Sequence, residues 1–384
     1  MAKTRSNPPK RKSKSASTPK SILHSASSTF STNPHGPPPP PPPPPPSTST
    51  LLASAATALH TEGSPSDALR LTTLALQSDP TSLAALELAG EAHLELGDED
   101  TARTHFEKAA ALDPDGALSG PEKFLWLAQL GVGGKAMMGW YERGTAVLRA
   151  WMQEGRGGEG GDRGLQGKLC SALCAMAEIY MSDLCDEPDA ESRCEAYVTE
   201  ALLVSPHSAE ALQTLASIRI SQQRPADAVT ALQRSLALWR ELPADAAGVP
   251  SYAARINLAK LLIETRQYDA ALEVLERLQL EDDQLPDLWY LGGWCLFLYG
   301  EQEEAGSEER RELWGSAREW LGNCGLVYEA LGWEDVGIWE HAEELRGRIG
   351  EEVGESEGEG EEGEGGEEGE EEWESEEEED VEMK

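Results

Sequence analysis

Asp67-Ala68-Leu69-Arg70-Leu71-Thr72-Thr73-Leu74-Ala75-Leu76-Gln77-Ser78-Asp79-Pro80 and, thirty-four residues on, Thr101-Ala102-Arg103-Thr104-His105-Phe106-Glu107-Lys108-Ala109-Ala110-Ala111-Leu112-Asp113-Pro114 decide the fold. Ala68, Thr72, Ala75 and Pro80 recur as Ala102, Phe106, Ala109 and Pro114. Upstream, Leu52, Ala55, Ala56 and Leu59 pair with Leu86, Ala89, Gly90 and His93 at the same shift. Small residues on facing turns let two antiparallel helices approach closely, a larger one fills the space between them, and proline ends the second helix.

Later copies are degenerate but traceable. The third uses Phe124, Leu127, Ala128, Gly144 and Leu148. A glycine-rich stretch, 155–167, then reads as a flexible loop. The fourth copy has Met176, Ala177 and Tyr180, then, after an insertion, Cys194, Val198, Ala201 and Pro206. Leu212, Leu215, Ala216, Ala228, Leu232 and Ser235 make a fifth, and Leu258, Ala259, Leu262, Ala271, Leu275 and Leu278 a sixth. Leu291 and Gly292, then Ala317, Leu321 and Cys324 beyond a charged insertion at 301–311, make a seventh. The amphipathic stretch 333–349, with Val336, Trp339 and Leu345 on one face, reads as a capping helix. A period of thirty-four with this pattern is that of the tetratricopeptide repeat, so an all-α superhelical solenoid of about seven helix pairs plus a C-terminal cap is expected over residues 51–350.

Outside that body the composition changes. Residues 1–50 carry seven basic side chains and no acidic one, and end in Pro37 to Pro46; they read as a disordered arm. The proline run suits either a stiff spacer or a ligand for a proline-binding module. Residues 351–384 carry twenty acidic side chains and one lysine, and read as a disordered tail that either aids solubility or competes with RNA as a polyanion. The whole chain has a formal charge of −38, which leaves −26 on residues 51–350. Such a body repels nucleic-acid phosphates and anionic lipid and attracts basic proteins, so direct nucleic-acid or membrane binding is not expected.

No catalytic constellation emerges. The seven histidines are scattered, and there is no phosphate-cradling glycine loop. Cys170 and Cys174 share a helix face without further ligands at zinc spacing, and all six cysteines read as reduced core residues. A non-catalytic scaffold without metal or cofactor is the expectation.

Repeat geometry places positions two, five, nine, twelve and thirteen of each first helix on the concave side. In the second repeat this gives Glu87, Glu91 and Glu95; elsewhere Glu178, Glu210 and Glu264; in the seventh, Trp289, Leu296 and Phe297. A groove acidic along its length and aromatic near its end suits an extended basic ligand with an apolar anchor, although single glutamates read equally well as solvated helix formers and the aromatics as core between repeats. A clamp for acidic chaperone tails would need Lys, Asn and Arg where Ala53, Thr57, Glu87 and Glu91 stand. Lys10, Arg11, Lys12 and Lys14 look like a nuclear-import signal, with an import receptor as a further partner.

The combination of this basic arm, degenerate repeats, the Leu288-Trp289-Tyr290-Leu291-Gly292-Gly293-Trp294 unit and an acidic tail resembles the fungal dedicated assembly chaperones of large-subunit ribosomal protein L-four. The resemblance implies a monomer that captures the long basic internal loop of the new ribosomal protein one to one and escorts it from cytoplasm to nucleus. An acidic adaptor or histone-type chaperone for another basic nuclear protein is the alternative on residues alone.

Overall fold

The computed structural model describes residues 46–156, 158–333 and 335–354, without the side chains of 158–162. The import-type run Lys10 to Lys14, the proline run up to Pro45 and the acidic tail beyond Gly354 lie outside the described residues. Within them the chain forms fifteen helices and no strand. They are α1 (Thr48–His60), α2 (Pro65–Ser78), α3 (Leu83–Glu95), α4 (Glu99–Leu112), α5 (Glu122–Gln129), α6 (Gly134–Gln153), α7 (Gly158–Met181), α8 (Ala190–Val204), α9 (Ala209–Ser221), α10 (Pro225–Ala237), α11 (Tyr252–Glu264), α12 (Tyr268–Glu281), α13 (Pro286–Gly300), α14 (Glu308–Leu331) and α15 (Val336–Val353).

Consecutive helices pack as seven antiparallel pairs, and α15 closes the last against α13 and α14. First helices of neighbouring pairs also touch, α1 with α3, α7 with α9, α9 with α11 and α11 with α13, which builds the inner wall of a solenoid over those pairs. Local chemistry sets the starts. Ser47, Ser82, Asp98, Ser208, Ser251 and Ser307 each accept a backbone N–H from the first turn, and Pro65, Pro225 and Pro286 occupy positions where no N–H partner is needed.

The residues that define the repeat are buried. Ala68, Thr72 and Ala75 and their counterparts Ala102, Phe106 and Ala109 have no exposed surface, and a Cβ added at Gly90 would stand 2.6 Å from Phe106 Cζ. The first two pairs are thus held largely by alanine, with Phe106 the one aromatic in their core. The last pair is held by aromatics. Gly292 and Gly293 let α14 approach so closely that an added Cβ would lie 2.0 Å from Trp320 and 2.5 Å from Leu321, and Phe297 stacks on Trp314 with centroids 5.0 Å apart.

Three readings need correction, and one buried residue lies outside the pattern. Residues 158–167 are the opening turns of α7 rather than a loop, because Leu165 is buried in the core shared with Leu169 and Leu173 and anchors the extension. On the cap, the buried face is Ala342, Leu345 and Ile349, with Trp339 over Gly325, whereas Val336 is exposed. Cys185 is exposed in the α7–α8 connection, while the other five thiols are buried. The α10–α11 connection hides Trp239, which the repeat pattern does not include; it is 1% exposed, with the Arg255 and Arg277 guanidinium groups 5.9 and 5.0 Å from its ring.

Candidate binding groove

On α3 the three predicted glutamates have different circumstances. Glu95 is exposed. Glu91 is half-buried, 3.5 Å from His60 Nε2, and burial raises its pKa. Glu87 belongs to an internal network: it accepts the Ser119 hydroxyl at 2.5 Å and lies 3.8 Å from Lys123 Nζ. Lys123 is fully buried on the eight-residue α5, and its ammonium donates to Asp113 (2.8 Å), the Ser119 hydroxyl (2.9 Å) and the Gly120 carbonyl (2.8 Å). An unpaired ammonium there would be prohibitively costly, so Asp113 at the end of α4 fixes the α4–α5 connection. Burial pushes the Asp113 carboxyl up, but the Lys123 hydrogen bond and the Ser119 and Leu118 amides outweigh it and hold the group below its usual range. Burial raises Glu87 itself. Glu87 is therefore tied into structure rather than free for a ligand. Next to this stretch, Glu122 pairs with Lys168 at 2.5 Å, a pair the repeat pattern did not single out.

In the middle of the wall the fold brings two predicted residues together. Glu178 of α7 and Glu210 of α9 share a cleft of about 400 Å³ with Gln213, Thr214, Ser251, Ala254 and Asn257. Ser171 donates to Glu210 at 2.6 Å and Thr214 to Glu178 at 3.4 Å; neither carboxylate has a cationic partner among the described residues. Glu178 is open to solvent by area, yet the protein crowded around it raises its pKa, and the charge of Glu210 adds to the rise.

At the C-terminal end the predicted anchors are misplaced. Trp289 and Leu296 are each 7% exposed and Phe297 1%. The Trp289 indole donates to the Asp283 carbonyl at 2.7 Å and packs 5.0 Å from Trp320, and Leu296 lies in the core under α15. All three are interior because α13 is covered on several sides, by α12, α14 and α15. The face left half-open is one residue later in register: Tyr290, Trp294 and Leu298, which with Lys260, Ile263 and Glu264 line a cleft of about 590 Å³. The Tyr290 hydroxyl is 2.7 Å from His341 Nδ1, so α15 extends this wall. Glu264 is exposed beside it, as the spacing predicts. The sequence carries no signal for the shift, since α13 is apolar almost all round and has no polar stripe to mark its open face.

What the wall can do chemically is bind cations and flat apolar groups; among the described residues no group of three His, Cys, Asp or Glu side chains is placed to hold a metal ion, and no helix is long and apolar enough to cross a membrane. The tetratricopeptide repeat family model matches residues 54–117 and 213–286. A protein of Emericella nidulans named "Probable assembly chaperone of rpl4" is 43% identical over 338 residues, covering 80% of this chain and 85% of its own. The chain belongs to the family of assembly chaperones of rpl4. A member from Schizosaccharomyces pombe with the same name is 39% identical over 267 residues, covering 68% of this chain and 78% of its own. The solved structure of an assembly chaperone of RpL4, Acl4 (residues 1–338), is 42% identical with a TM-score of 0.63, covering 67% of this chain and 98% of that one. The chain shares the repeat fold of that structure.

Proposed function

We propose that this chain is a non-catalytic chaperone that holds newly made rpl4 along the inner wall of the solenoid, as a monomer in a one-to-one complex. The names of two relatives, both probable assembly chaperones of rpl4, support the choice of client. The observation that carries the mechanism is the Glu178–Glu210 pair, two carboxylates drawn together without a cation, with exposed Glu95 and Glu264 to either side. Like charges held close are relieved by a bound ammonium or guanidinium, and a segment built to bind ribosomal RNA is rich in both. Tyr290, Trp294 and Leu298 offer the apolar seat. The run Lys10, Arg11, Lys12, Lys14 then serves import of the complex through an import receptor, placing the chain in cytoplasm and nucleus.

Isothermal titration of the full chain with rpl4 at two salt concentrations tests this reading, with core histones as comparison. One-to-one binding that weakens steeply with salt and favours rpl4 is the expected result. No binding to rpl4, or equal affinity for histones, would sink it.

A further inference from the structure

Two cations border the cleft between α11 and α13 without a partner. Lys260, one turn before the end of α11, and Arg266, in the turn after it, are both exposed, and neither makes an ion pair or a side-chain hydrogen bond among the described residues. Of the two carboxylates on the same cleft, Glu301 is paired with Arg348 at 2.7 Å, which leaves Glu264 against two positive charges. The local balance is positive on a body that carries −26 over residues 51–350. Arg266 also stands against its backbone's preference: its φ is +58°, in the left-handed region, where the matching turns after α1 and α3 have Gly63 and Gly97. Gln223 is the same exception after α9. Between the cations the walls are apolar, with Ile263, Tyr290, Trp294 and Leu298 around about 590 Å³, inside the range of about 300–1,000 Å³ that takes an organic group.

A fitting occupant is anionic and carries one large aromatic group. The chain holds such a segment: Glu371-Glu372-Trp373-Glu374-Ser375-Glu376, in which Trp373 is the one aromatic residue of 355–384. The fold starts that segment beside the cleft. Arg348 of α15 holds Glu301 at the cleft's edge, and four residues on, Glu352 pairs with Arg310 at 2.9 Å and accepts the Gly306 N–H at 3.2 Å in the α13–α14 connection. Gly354 is about 9 Å along the helix from Arg348 at about 1.5 Å per residue. Trp373 comes nineteen residues after Gly354, a reach of up to about 60 Å of extended chain.

We propose that the chain's own acidic tail folds back onto this cleft, with Trp373 among Tyr290, Trp294 and Leu298 and its flanking glutamates on Lys260 and Arg266. An aromatic anchor set in a pocket with charges at its rim is a common way to hold a short segment, and an attached segment binds at a high effective concentration. Charge selects the place, because the Glu178–Glu210 cleft repels the same glutamates. The docking does not depend on what the client is. It gives the cleft a resident occupant, which an apolar side chain of a client has to displace.

The test uses the full chain with photoreactive p-benzoylphenylalanine in place of Trp373, irradiated at low protein concentration, with the adducts mapped by mass spectrometry. Adducts within one chain, on residues 260–268 and 290–302, are the expected result. Lys260→Gln combined with Arg266→Gly should lower their yield about fivefold or more. Lys260 is exposed and glycine relaxes the left-handed backbone at 266, so the melting temperature should hold or rise, and a fall in yield reports the contact rather than the fold. Adducts elsewhere on the body, adducts only between two copies, or a yield that the double variant leaves unchanged would overturn the docking. Saturating rpl4 should suppress the adducts. If they persist in full with rpl4 bound, the apolar seat assigned to rpl4 falls and the docking stands.

Discussion

Replacing Gly292 by alanine probes the tightest glycine contact among the described residues. The new Cβ would stand 2.0 Å from Trp320 Cε3 and 2.3 Å from Cζ3, where ordinary contact begins above 3.4 Å. The indole would have to retreat by more than an ångström, and Trp289, 5.0 Å away between centroids, stands against it. Overpacking of this kind costs about 1–3 kcal/mol, and the size of the clash argues for the upper end. Alanine returns about 1 kcal/mol through helix propensity, so a net loss of about 2 kcal/mol is expected. Gly315→Ala and Gly322→Ala on α14 are the controls: an added Cβ meets nothing within 4 Å, and both should stabilise by up to about 1 kcal/mol. Urea unfolding followed by tryptophan fluorescence reads the difference, supplemented by hydrogen exchange on α13 and α14 because a repeat array need not unfold in one step. If Gly292→Ala proves as stable as Gly322→Ala, the close-packing account of this repeat is wrong.

Lys123→Met leaves Asp113 buried without its cation and should cost about 3–5 kcal/mol by denaturant melting. Because the folded-state pKa of Asp113 lies below its unfolded value, its contribution is present at neutral pH and lost as pH falls through the folded value. That component of acid destabilisation should be absent from the Lys123→Met variant in a pH series. Leu165→Ala should cost about 2 kcal/mol if residues 158–167 are the packed start of α7, and under about 0.5 kcal/mol if they are a solvated loop; the same melts distinguish the two.

The period of thirty-four was legible because it is written in residues whose size is dictated by helix contact: Ala68 and Ala102, Gly90 opposite Phe106. Glu178 and Glu210 were legible for the same reason, since position in the repeat fixes the inner face. Groove register at α13 was not, because a helix covered on several sides carries no clean polar stripe to orient it, and the pattern chose Trp289, Leu296 and Phe297 where Tyr290, Trp294 and Leu298 are the open set. Nor was the Lys123 network, in which four polar side chains from α3, the α4–α5 connection and α5 meet only after folding. Gly-rich 155–167 misled for a local reason: the five glycines within 158–167, at about 1 kcal/mol each, argue against a helix, and the buried Leu165 offsets part of that cost through a contact that exists only after folding.

The contrast between the alanine core of the first two pairs and the tryptophan core of the last gives the solenoid a mechanical direction. In a linear array each pair is secured only by its neighbours, and a methyl group buries far less apolar area than an indole. Fraying should therefore begin at α1 and travel toward α15, like a zip whose slider starts at one end. A ligand lying along the wall would be let go in the same order, losing its hold beside Glu91 and Glu95 while Tyr290 and Trp294 still grip.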